Sequence, residues 1–209
     1  PRLRRTIAEH MIRAKQTAAH VWTSVEVDYE RVEQARLAQR EQFKAEEGFS
    51  LTYLPFIARA TMDALAAYPV VNSSLDLEAG TRIDHKAVHL GIATQTQDGL
   101  KVPVVRHAEM KSIDALSGEI KRLSEAARTN RATKSELSGS TITITSLGKL
   151  GGIVSTPVIN SPEVAIIGVN RAVERPVVLN GQVQVRLMMN LSSSFDHRFV
   201  DGFDAASMI

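Results

Sequence analysis

The amino-acid sequence contains no cysteine among its 209 residues. This absence excludes a disulfide scaffold, a cysteine-ligated zinc or iron–sulfur site and a cysteine nucleophile, and it permits a reducing compartment. A chain of this length buries roughly 70% of the surface that it exposes when unfolded, so its core needs neither disulfides nor a structural metal. Any thiol chemistry must therefore bring its sulfur in on the substrates.

The sequence also lacks a marked charge of one sign and a long apolar run. Its 25 basic and 23 acidic residues leave a net charge of +2, which is too balanced for a nucleic-acid-binding surface. The longest apolar runs, such as residues 164–169, are far shorter than the ~20 residues that span a bilayer. The first residues do not have the pattern of a signal peptide. We therefore expect no nucleic-acid partner and no membrane partner.

A small basic cluster near the start of the chain consists of Arg2, Arg4 and Arg5. One interpretation is the solvated beginning of a helix. The other is an arginine that pairs with a buried carboxylate or an anionic ligand, since arginine is suited to bidentate pairing. The sequence alone leaves both interpretations open.

Helical and strand patterns alternate along the chain without an internal repeat. Helices are predicted over residues 4–19, between Asp28 and Gly48, over residues 52–67 and after Ser112. Strands are predicted at residues 21–27, 141–145, 164–169 and 188–195, and hairpins at 87–105 and 176–187. Helices followed by a mixed, hairpin-containing sheet favour a layered α/β sandwich.

A glycine-rich stretch, G-K-L-G-G at residues 148–152, follows the strand at 141–145. It lacks the Gly-Lys-Ser/Thr ending of a Walker loop and the G-x-G-x-x-G pattern of a dinucleotide site. A backbone turn is one interpretation, and a ligand-binding loop is the other. The second is of interest because Thr145 and Ser146 place two hydroxyl groups beside backbone that can approach a ligand closely.

Five of the six histidines have no convincing catalytic context. His85 and His89 have the i, i+4 spacing of a helical metal site, but their segment is predicted as a strand, where they would stand ~13 Å apart. We assign structural or surface roles to both, and to His10, His20 and His107. No metal site is predicted.

The sixth histidine, His197, lies in the run H-R-F-V-D-G at residues 197–202. An apolar strand is predicted before it and a helix after it, so its imidazole can project into a cleft. With an ordinary pKa of ~6.5, a neutral imidazole can take a proton from a thiol at neutral pH. Asp201 either orients this loop or pairs with an N-terminal arginine. A structural histidine in a turn is the alternative.

Several blocks of the sequence together resemble one enzyme family. S-F-D-H-R-F-V-D-G at 194–202 resembles the D-H-R-x-x-D-G signature of the dihydrolipoamide acyltransferase component of the 2-oxo-acid dehydrogenase complexes. Other blocks resemble the family in the same order: R-R-x-I-A-x-x-M from residue 4, G-I-A at 91–93, D-G-L-x-V-P at 98–103, T-I-T-S-L-G-K-L-G-G at 143–152 and S-T-P-V-I-N-S-P-E-V-A-I-I-G-V-N at 155–170. The resemblance covers nearly the whole chain.

This resemblance implies a fold and a set of catalytic residues. The fold would be the chloramphenicol acetyltransferase-like two-layer sandwich, an α/β (α+β) domain over residues 1–209 with a mixed β-sheet and helices. Its trimers would assemble into a cubic or icosahedral core. His197 would be the general base that deprotonates coenzyme A for attack on the acyl-dihydrolipoyl thioester. Thr145, supplied by a neighbouring subunit, would donate a hydrogen bond to the oxyanion, and Asp201 would support the site through an ion pair with Arg5.

The resemblance also implies ligands and partners. Coenzyme A is expected to contact Ser146, Lys149, Asn170, Arg36 and Thr52, of which Lys149 and Arg36 suit its phosphates by charge. The lipoyl group is expected on a separate domain. We expect the lipoyl and subunit-binding domains to be absent here, and the last helix to be truncated at Ile209. Further partners would be the 2-oxo-acid decarboxylase and dihydrolipoamide dehydrogenase components, in the bacterial cytoplasm or the mitochondrial matrix.

Acyl specificity is the least determined property. The block at 155–170 and M-M-N-L-S-S-S-F-D-H-R at 188–198 most resemble bacterial branched-chain members, although Thr145 suits succinyl transfer equally and acetyl specificity stays open. A non-catalytic scaffold subunit and a stand-alone small-molecule acetyltransferase are the alternative functions. A scaffold would have no reason to keep both His197 and a hydroxyl at position 145. The blocks outside the signature argue against the stand-alone enzyme.

Overall fold

The computed structural model describes residues 2–76 and 78–209. Its α-helices are α1 (Arg2–Thr17), α2 (Glu30–Glu47), α3 (Leu54–Ala67), α4 (Ile113–Arg128) and α5 (Gly202–Met208). Its strands are β1 (His20–Asp28), β2 (Ser73–Asp76), β3 (Thr81–Asp84), β4 (Leu90–Ile92), β5 (Thr94–Gln95), β6 (Leu100–Lys101), β7 (Val104–Val105), β8 (Ile142–Ser146), β9 (Ala165–Val169), β10 (Val173–Leu179) and β11 (Gln182–Asp196).

The main sheet is mixed and has the strand order β1-β11-β9-β8-β4-β7, with β10 paired to the first half of β11. Strand β8 is parallel to both of its neighbours, β4 and β9. The other pairs in this sheet are antiparallel. Strands β2–β3 and β5–β6 form two small separate hairpins.

Helices α3 and α4 form the second layer. Their buried apolar side chains, such as Ile57 and Leu116, belong to one core cluster with Ile144 of β8 and Ile167 of β9. The layered α/β sandwich expected from the sequence is therefore confirmed. None of the helices within residues 2–76 and 78–209 is both long and apolar enough to cross a membrane.

Helix ends follow the predicted signals with small shifts. Ser112 caps α4 as predicted, because its Oγ accepts a hydrogen bond from the Ala115 N–H at 3.2 Å. Gly48 ends α2 in the left-handed conformation with φ 74°. Asp28 instead closes β1, and its Oδ1 accepts from the Glu30 N–H at 3.0 Å; the cap position is Tyr29, so α2 begins one residue later than a cap at Asp28 would place it.

Two strand predictions need correction. The strand predicted at 188–195 and the second arm of the 176–187 hairpin are one continuous strand, β11, which pairs first with β10 and then with β1 and β9. The hairpin β2–β3 was not predicted. Every residue of β3 is exposed, so its sequence carries no alternation of buried and exposed positions to recognise.

Candidate active site

His197 directly follows β11. Its backbone N–H donates to the carbonyl oxygen of Ala19 at 2.9 Å, which anchors it beside the start of β1. The side chain is 45% exposed, and its Nδ1 lies 4.0 Å from Oδ1 of Asp201, the residue that precedes α5. The imidazole is thus accessible on a well-anchored backbone, as a general base requires.

The residues on either side of His197 form an ion pair between a buried carboxylate and a partly exposed guanidinium, to which no role is assigned from the sequence. Asp196 is 2% exposed, and its carboxylate accepts from Nε of Arg198 at 2.9 Å and from Nη2 at 2.5 Å. The backbone N–H groups of Ala19 and Arg198 donate to the same carboxylate. Burial alone would raise the pKa of Asp196, but these hydrogen bonds outweigh it and the pKa is lowered. In the sequence, the signal for this ion pair is the presence of opposite charges on the two sides of a histidine.

Arg5 does not meet Asp201 within a single copy of the chain. Its Nε donates to Oε1 of Glu9 at 3.0 Å, because Glu9 lies one turn further along α1, and both of these side chains are mostly exposed. The Asp201 side chain is 85% exposed. The ion pair between Arg5 and Asp201 therefore stays a prediction for a state with different neighbours.

Thr145 lies at the opposite end of the sheet from His197. It is the half-buried penultimate residue of β8 and pairs with Gly168 of β9, which in turn pairs with Ser192 of β11. A Cβ atom on Gly168 would lie 2.3 Å from the carbonyl oxygen of Ser192. Glycine is therefore required for β9 and β11 to pack this closely beside Thr145.

Strand register gives the separation between Thr145 and His197. Thr145 is level with Ser192 of β11, and His197 lies five residues further along the chain, directly after the end of β11. Five residues of strand span about 16 Å, and the two intervening strand spacings add about 9.5 Å sideways, so the backbone positions are about 19 Å apart. One copy of the chain therefore holds the two side chains too far apart to act on the same reacting group.

A cleft of about 640 Å³ opens at Ser146, the residue after Thr145; Thr145 itself is not among the residues that line it. Such a volume is typical of sites for small molecules and cofactors. Its walls come from α2, from the segment that leads into α3, from the loop after β8 and from the segment around the end of β9. The five residues expected to contact coenzyme A all line this one cleft: Arg36, Thr52, Ser146, Lys149 and Asn170.

The cleft is predominantly cationic. Besides Arg36 and Lys149 it is lined by Arg40 and Arg171, which the sequence analysis did not identify, and by a single carboxylate, Glu33. Arg40 lies one helical turn after Arg36 and Arg171 directly follows Asn170, so both could have been found from their neighbours. This charge balance favours an anionic ligand.

Arg36 is held rigidly in the cleft wall. Its Nε and Nη2 donate to the Glu33 carboxylate at 2.6 and 2.8 Å, and Nη1 donates to the Leu51 carbonyl oxygen at 3.2 Å. The Tyr53 hydroxyl also donates to Glu33, at 2.8 Å. Hydrogen bonding from Arg36 lowers the pKa of Glu33, and burial raises the pKa of Tyr53 to about 12. A guanidinium has five N–H donors, so this one keeps donors for a ligand.

Asn170 shapes the cleft wall. It is 4% exposed, and its Nδ2 donates to the Asn190 carbonyl oxygen at 2.9 Å and to the Ser192 Oγ at 2.8 Å. Ser146 Oγ accepts from the Gly148 N–H at 3.1 Å, which fixes the first turn of the glycine-rich loop. The exposed side chain of Lys149 then stands at the cleft mouth.

Three of the other histidines make structural contacts. His85 bonds to the Ser74 hydroxyl, His10 to the Asn160 side chain, and His20 to the backbone at positions 18 and 159. His89 and His107 pack edge to face with ring centroids 4.9 Å apart. Within residues 2–76 and 78–209, no group of three or more His, Asp or Glu side chains is arranged to hold a metal ion.

Comparison with known proteins identifies the family. The model of the 2-oxoacid dehydrogenase acyltransferase catalytic domain matches residues 1–209. The chain belongs to this family. The lipoamide acyltransferase component of the branched-chain alpha-keto acid dehydrogenase complex of Pseudomonas putida is 58% identical over 210 residues, which is 99% of this chain and 49% of that protein. The chain spans about half the length of the curated relatives it matches.

Solved structures of acyltransferase domains share this fold. A structure of the Azotobacter vinelandii dihydrolipoamide acetyltransferase, from work on a serine, a histidine and an asparagine in its catalytic mechanism, has a TM-score of 0.94 and 39% identity over 99% of this chain and 85% of that chain. The cubic core of a pyruvate dehydrogenase multienzyme complex has the same TM-score, identity and coverage. Chloramphenicol acetyltransferase, at a TM-score of 0.55 and 15% identity over 96% of this chain and 90% of that chain, shares the fold. The expected chloramphenicol acetyltransferase-like fold is confirmed.

Proposed function

We propose that this acyltransferase domain moves an acyl group from S-acyl-dihydrolipoamide to coenzyme A, as the core of a 2-oxo-acid dehydrogenase complex. The observation that carries the proposal is the cationic cleft. The five residues that the family resemblance assigns to coenzyme A are spread from position 36 to position 170, and all of them line this cleft. Two of them are cations that suit phosphate groups, and Arg40 and Arg171 add two more.

His197 acts as the general base. Its Nδ1 faces the Asp201 carboxylate, which favours a proton on Nδ1 and leaves Nε2 as the basic nitrogen. Nε2 takes the proton of the coenzyme A thiol, and the thiolate attacks the thioester carbonyl carbon. When the tetrahedral intermediate collapses, the bond to the dihydrolipoyl sulfur breaks and that sulfur receives the proton from the imidazolium. Both sulfurs belong to substrates, in keeping with a sequence that has no cysteine.

Thr145 of a second copy supplies the oxyanion donor. The separation of about 19 Å within one chain supports a site shared between copies. Removal of such a donor typically costs ~10²–10³ in rate. The spacing of the residues named for the Azotobacter vinelandii enzyme supports the assignment. Its serine and histidine are as far apart in sequence as Thr145 and His197, and its histidine and asparagine as far apart as His197 and Asp201.

The assembly would be a trimer in which Arg5 meets Asp201, built further into a larger core. The match to a cubic core supports such assembly, and the cubic form is favoured over the icosahedral one on that ground. Lipoyl groups would arrive on separate domains, together with the decarboxylase and dihydrolipoamide dehydrogenase components. No metal takes part in the proposed step. For a bacterial protein of this kind, the cytoplasm is the expected location.

The acyl group would be branched-chain. Relatives named for the branched-chain complex are 58% and 53% identical to this chain, and both cover nearly all of it. Apolar side chains of the cleft wall, including Leu54, Ile57 and Met189, provide a surface on which aliphatic groups can pack.

A substrate panel tests the activity and its specificity together. Free dihydrolipoamide is offered with acetyl-, succinyl- and isobutyryl-coenzyme A in the reverse direction, and we expect isobutyryl transfer to be fastest. His197→Ala should lower that rate ~10²–10⁴-fold, whereas His107→Ala, which removes a 60% exposed side chain, should leave it unchanged. Unchanged activity in the His197 variant would refute the mechanism. No activity with any acyl group would favour the scaffold alternative.

A further inference from the structure

Glu163 is a buried carboxyl group that the proposed chemistry does not use. The residue is 4% exposed. Ser140 Oγ, Thr143 Oγ1 and Asn160 Nδ2 all donate hydrogen bonds to its Oε1, the last two at 2.9 Å. Its Oε2 is also buried and accepts no hydrogen bond from the part of the chain that the structure describes. One half of the carboxyl group is therefore saturated and the other half has no partner.

No free positive charge faces this carboxyl group. His10 of α1 contacts only the far side of Asn160, with its Nε2 3.2 Å from Asn160 Oδ1. Arg198 lines the same small cavity as Glu163, but its guanidinium is bonded to Asp196, which lines the cavity as well. On the β2–β3 side, Ser74 bridges to Glu163, and the ring of His85 bonds to the Ser74 hydroxyl. An ionised Glu163 would thus be a buried charge without a counter-ion.

Burial has a clear consequence for its protonation. It raises the pKa of Glu163 to about 7, even though the three donated hydrogen bonds lower it. A protonated carboxyl resembles a glutamine side chain in shape and neutrality, whereas the ionised form leaves a charged oxygen unpaired. The side chain of Glu163 therefore changes from neutral to negatively charged within the pH range in which the proposed reaction would run.

Glu163 is connected to His197 through the backbone. It sits just before β9, and its neighbour Val164 accepts a hydrogen bond from the Asp196 N–H at 2.8 Å. Asp196 is the last residue of β11, and His197 follows it. Glu163 also forms a β-bridge with Ser74 of β2 and accepts a hydrogen bond from Thr143 of β8. The segment before β9 is thus joined to three strands: β2, β8 and β11. A shift of the segment around Glu163 would therefore move the backbone at the end of β11, from which His197 projects.

We propose that Glu163 is a positioning residue for His197: its neutral carboxyl group fixes the start of β9 against β8, and its ionisation loosens the end of β11 from which His197 projects. The inference rests on the proposed acyl transfer. It is a pH-dependent control of the histidine's placement. Because the coenzyme A cleft lies at the other end of the sheet, the effect should appear in kcat rather than in KM for coenzyme A.

Activity profiles against pH test the proposal. Glu163→Gln keeps the neutral shape and cannot ionise, so the ratio of its kcat to that of the wild type should rise about threefold to tenfold between pH 6 and pH 8. KM for coenzyme A should stay within about twofold. Glu174→Gln, an exposed glutamate on β10, is the matched control and should give a flat ratio. A flat ratio for Glu163→Gln, or a change confined to KM, would overturn the proposal.

A second measurement needs neither activity nor a variant. Amide hydrogen exchange at Asp196 and His197 in the wild type, corrected for intrinsic pH dependence, should show loss of protection above pH 7 relative to the amides of α4. Equal protection across the range would refute the role of Glu163 even if acyl transfer is found. Absence of acyl transfer with the expected exchange pattern would instead refute only the proposed function.

Discussion

Two inactive variants should restore activity when they are combined in one assembly. His197→Ala lacks the proposed general base, and Thr145→Ala lacks the proposed oxyanion donor. In a shared site, the first copy still supplies Thr145 and the second still supplies His197. Because the two positions lie about 19 Å apart in one chain, an intact pair can form only between copies.

Random assembly of the two variants determines how much activity should be recovered. With equal amounts of both variants, a site is intact when its His197 comes from the Thr145→Ala copy and its Thr145 from the His197→Ala copy, which is the case for about one site in four. Each variant alone should keep at most about 1% of the rate, since loss of the base or of the donor costs ~10² or more. The mixture should therefore reach about one quarter of the wild-type rate per site.

The assay compares co-expressed pairs, so that the copies assemble together. The matched control is wild type co-expressed with the double variant, in which a shared site needs two wild-type copies and about one quarter of the activity remains. A site contained within one chain would leave about one half in that control and would give no rescue in the test mixture. The latter pair of results would refute the argument from strand register.

Three further outcomes are expected. Gly168→Ala would place a methyl group 2.3 Å from the Ser192 carbonyl oxygen, so it should lower the free energy of unfolding by about 1–3 kcal/mol in denaturant titrations; an unchanged midpoint would contradict the close packing. Glu163 has a folded-state pKa raised from 4.5 to about 7, so the folded state binds more protons in that window and wild-type stability should fall relative to Glu163→Gln as pH rises through it. The total loss of unfolding free energy, relative to Glu163→Gln, should be about 3 kcal/mol, and it should level off above pH 7. If the unfolding free energies of the two proteins change in parallel with pH, the prediction is wrong. Lys149→Ala and Arg171→Ala should each raise KM for coenzyme A about tenfold, more strongly at low salt, with kcat unchanged; a loss confined to kcat would remove both from the phosphate site.

Much of the fold could be predicted because its elements carry local signals. Helix α4 has both an amphipathic stripe and a serine cap, and β9 is a short apolar run that is buried on both faces. The hairpin β2–β3 escaped prediction because β3 has no buried face. The continuity of β11 escaped it because a single strand that changes partners part-way along shows a change of pattern in its sequence, from exposed residues at its start to buried residues at its end.

The site divided in the same way. His197 could be named from its local motif, whereas the role of Thr145 and the expected coenzyme A contacts came from the resemblance to the acyltransferase family. Arg40 and Arg171 have no motif of their own; only their positions near Arg36 and Asn170 in the sequence point to them, and only the fold shows that they face the same cleft. The role of Asp196 could not be predicted because it depends on burial: the buried carboxylate needs a partner, and the hydrogen bonds from Arg198 supply it.

The sequence by itself determined the chemistry: no sulfur nucleophile, one histidine in a distinctive setting and a hydroxyl beside a glycine-rich loop. Only the tertiary structure decided where these groups lie. Strand pairing joins segments that are far apart in the chain, and its register sets Thr145 level with Ser192 rather than with His197. Because each residue of strand adds about 3.3 Å, those five residues of register separate the two groups and make the site depend on a second copy.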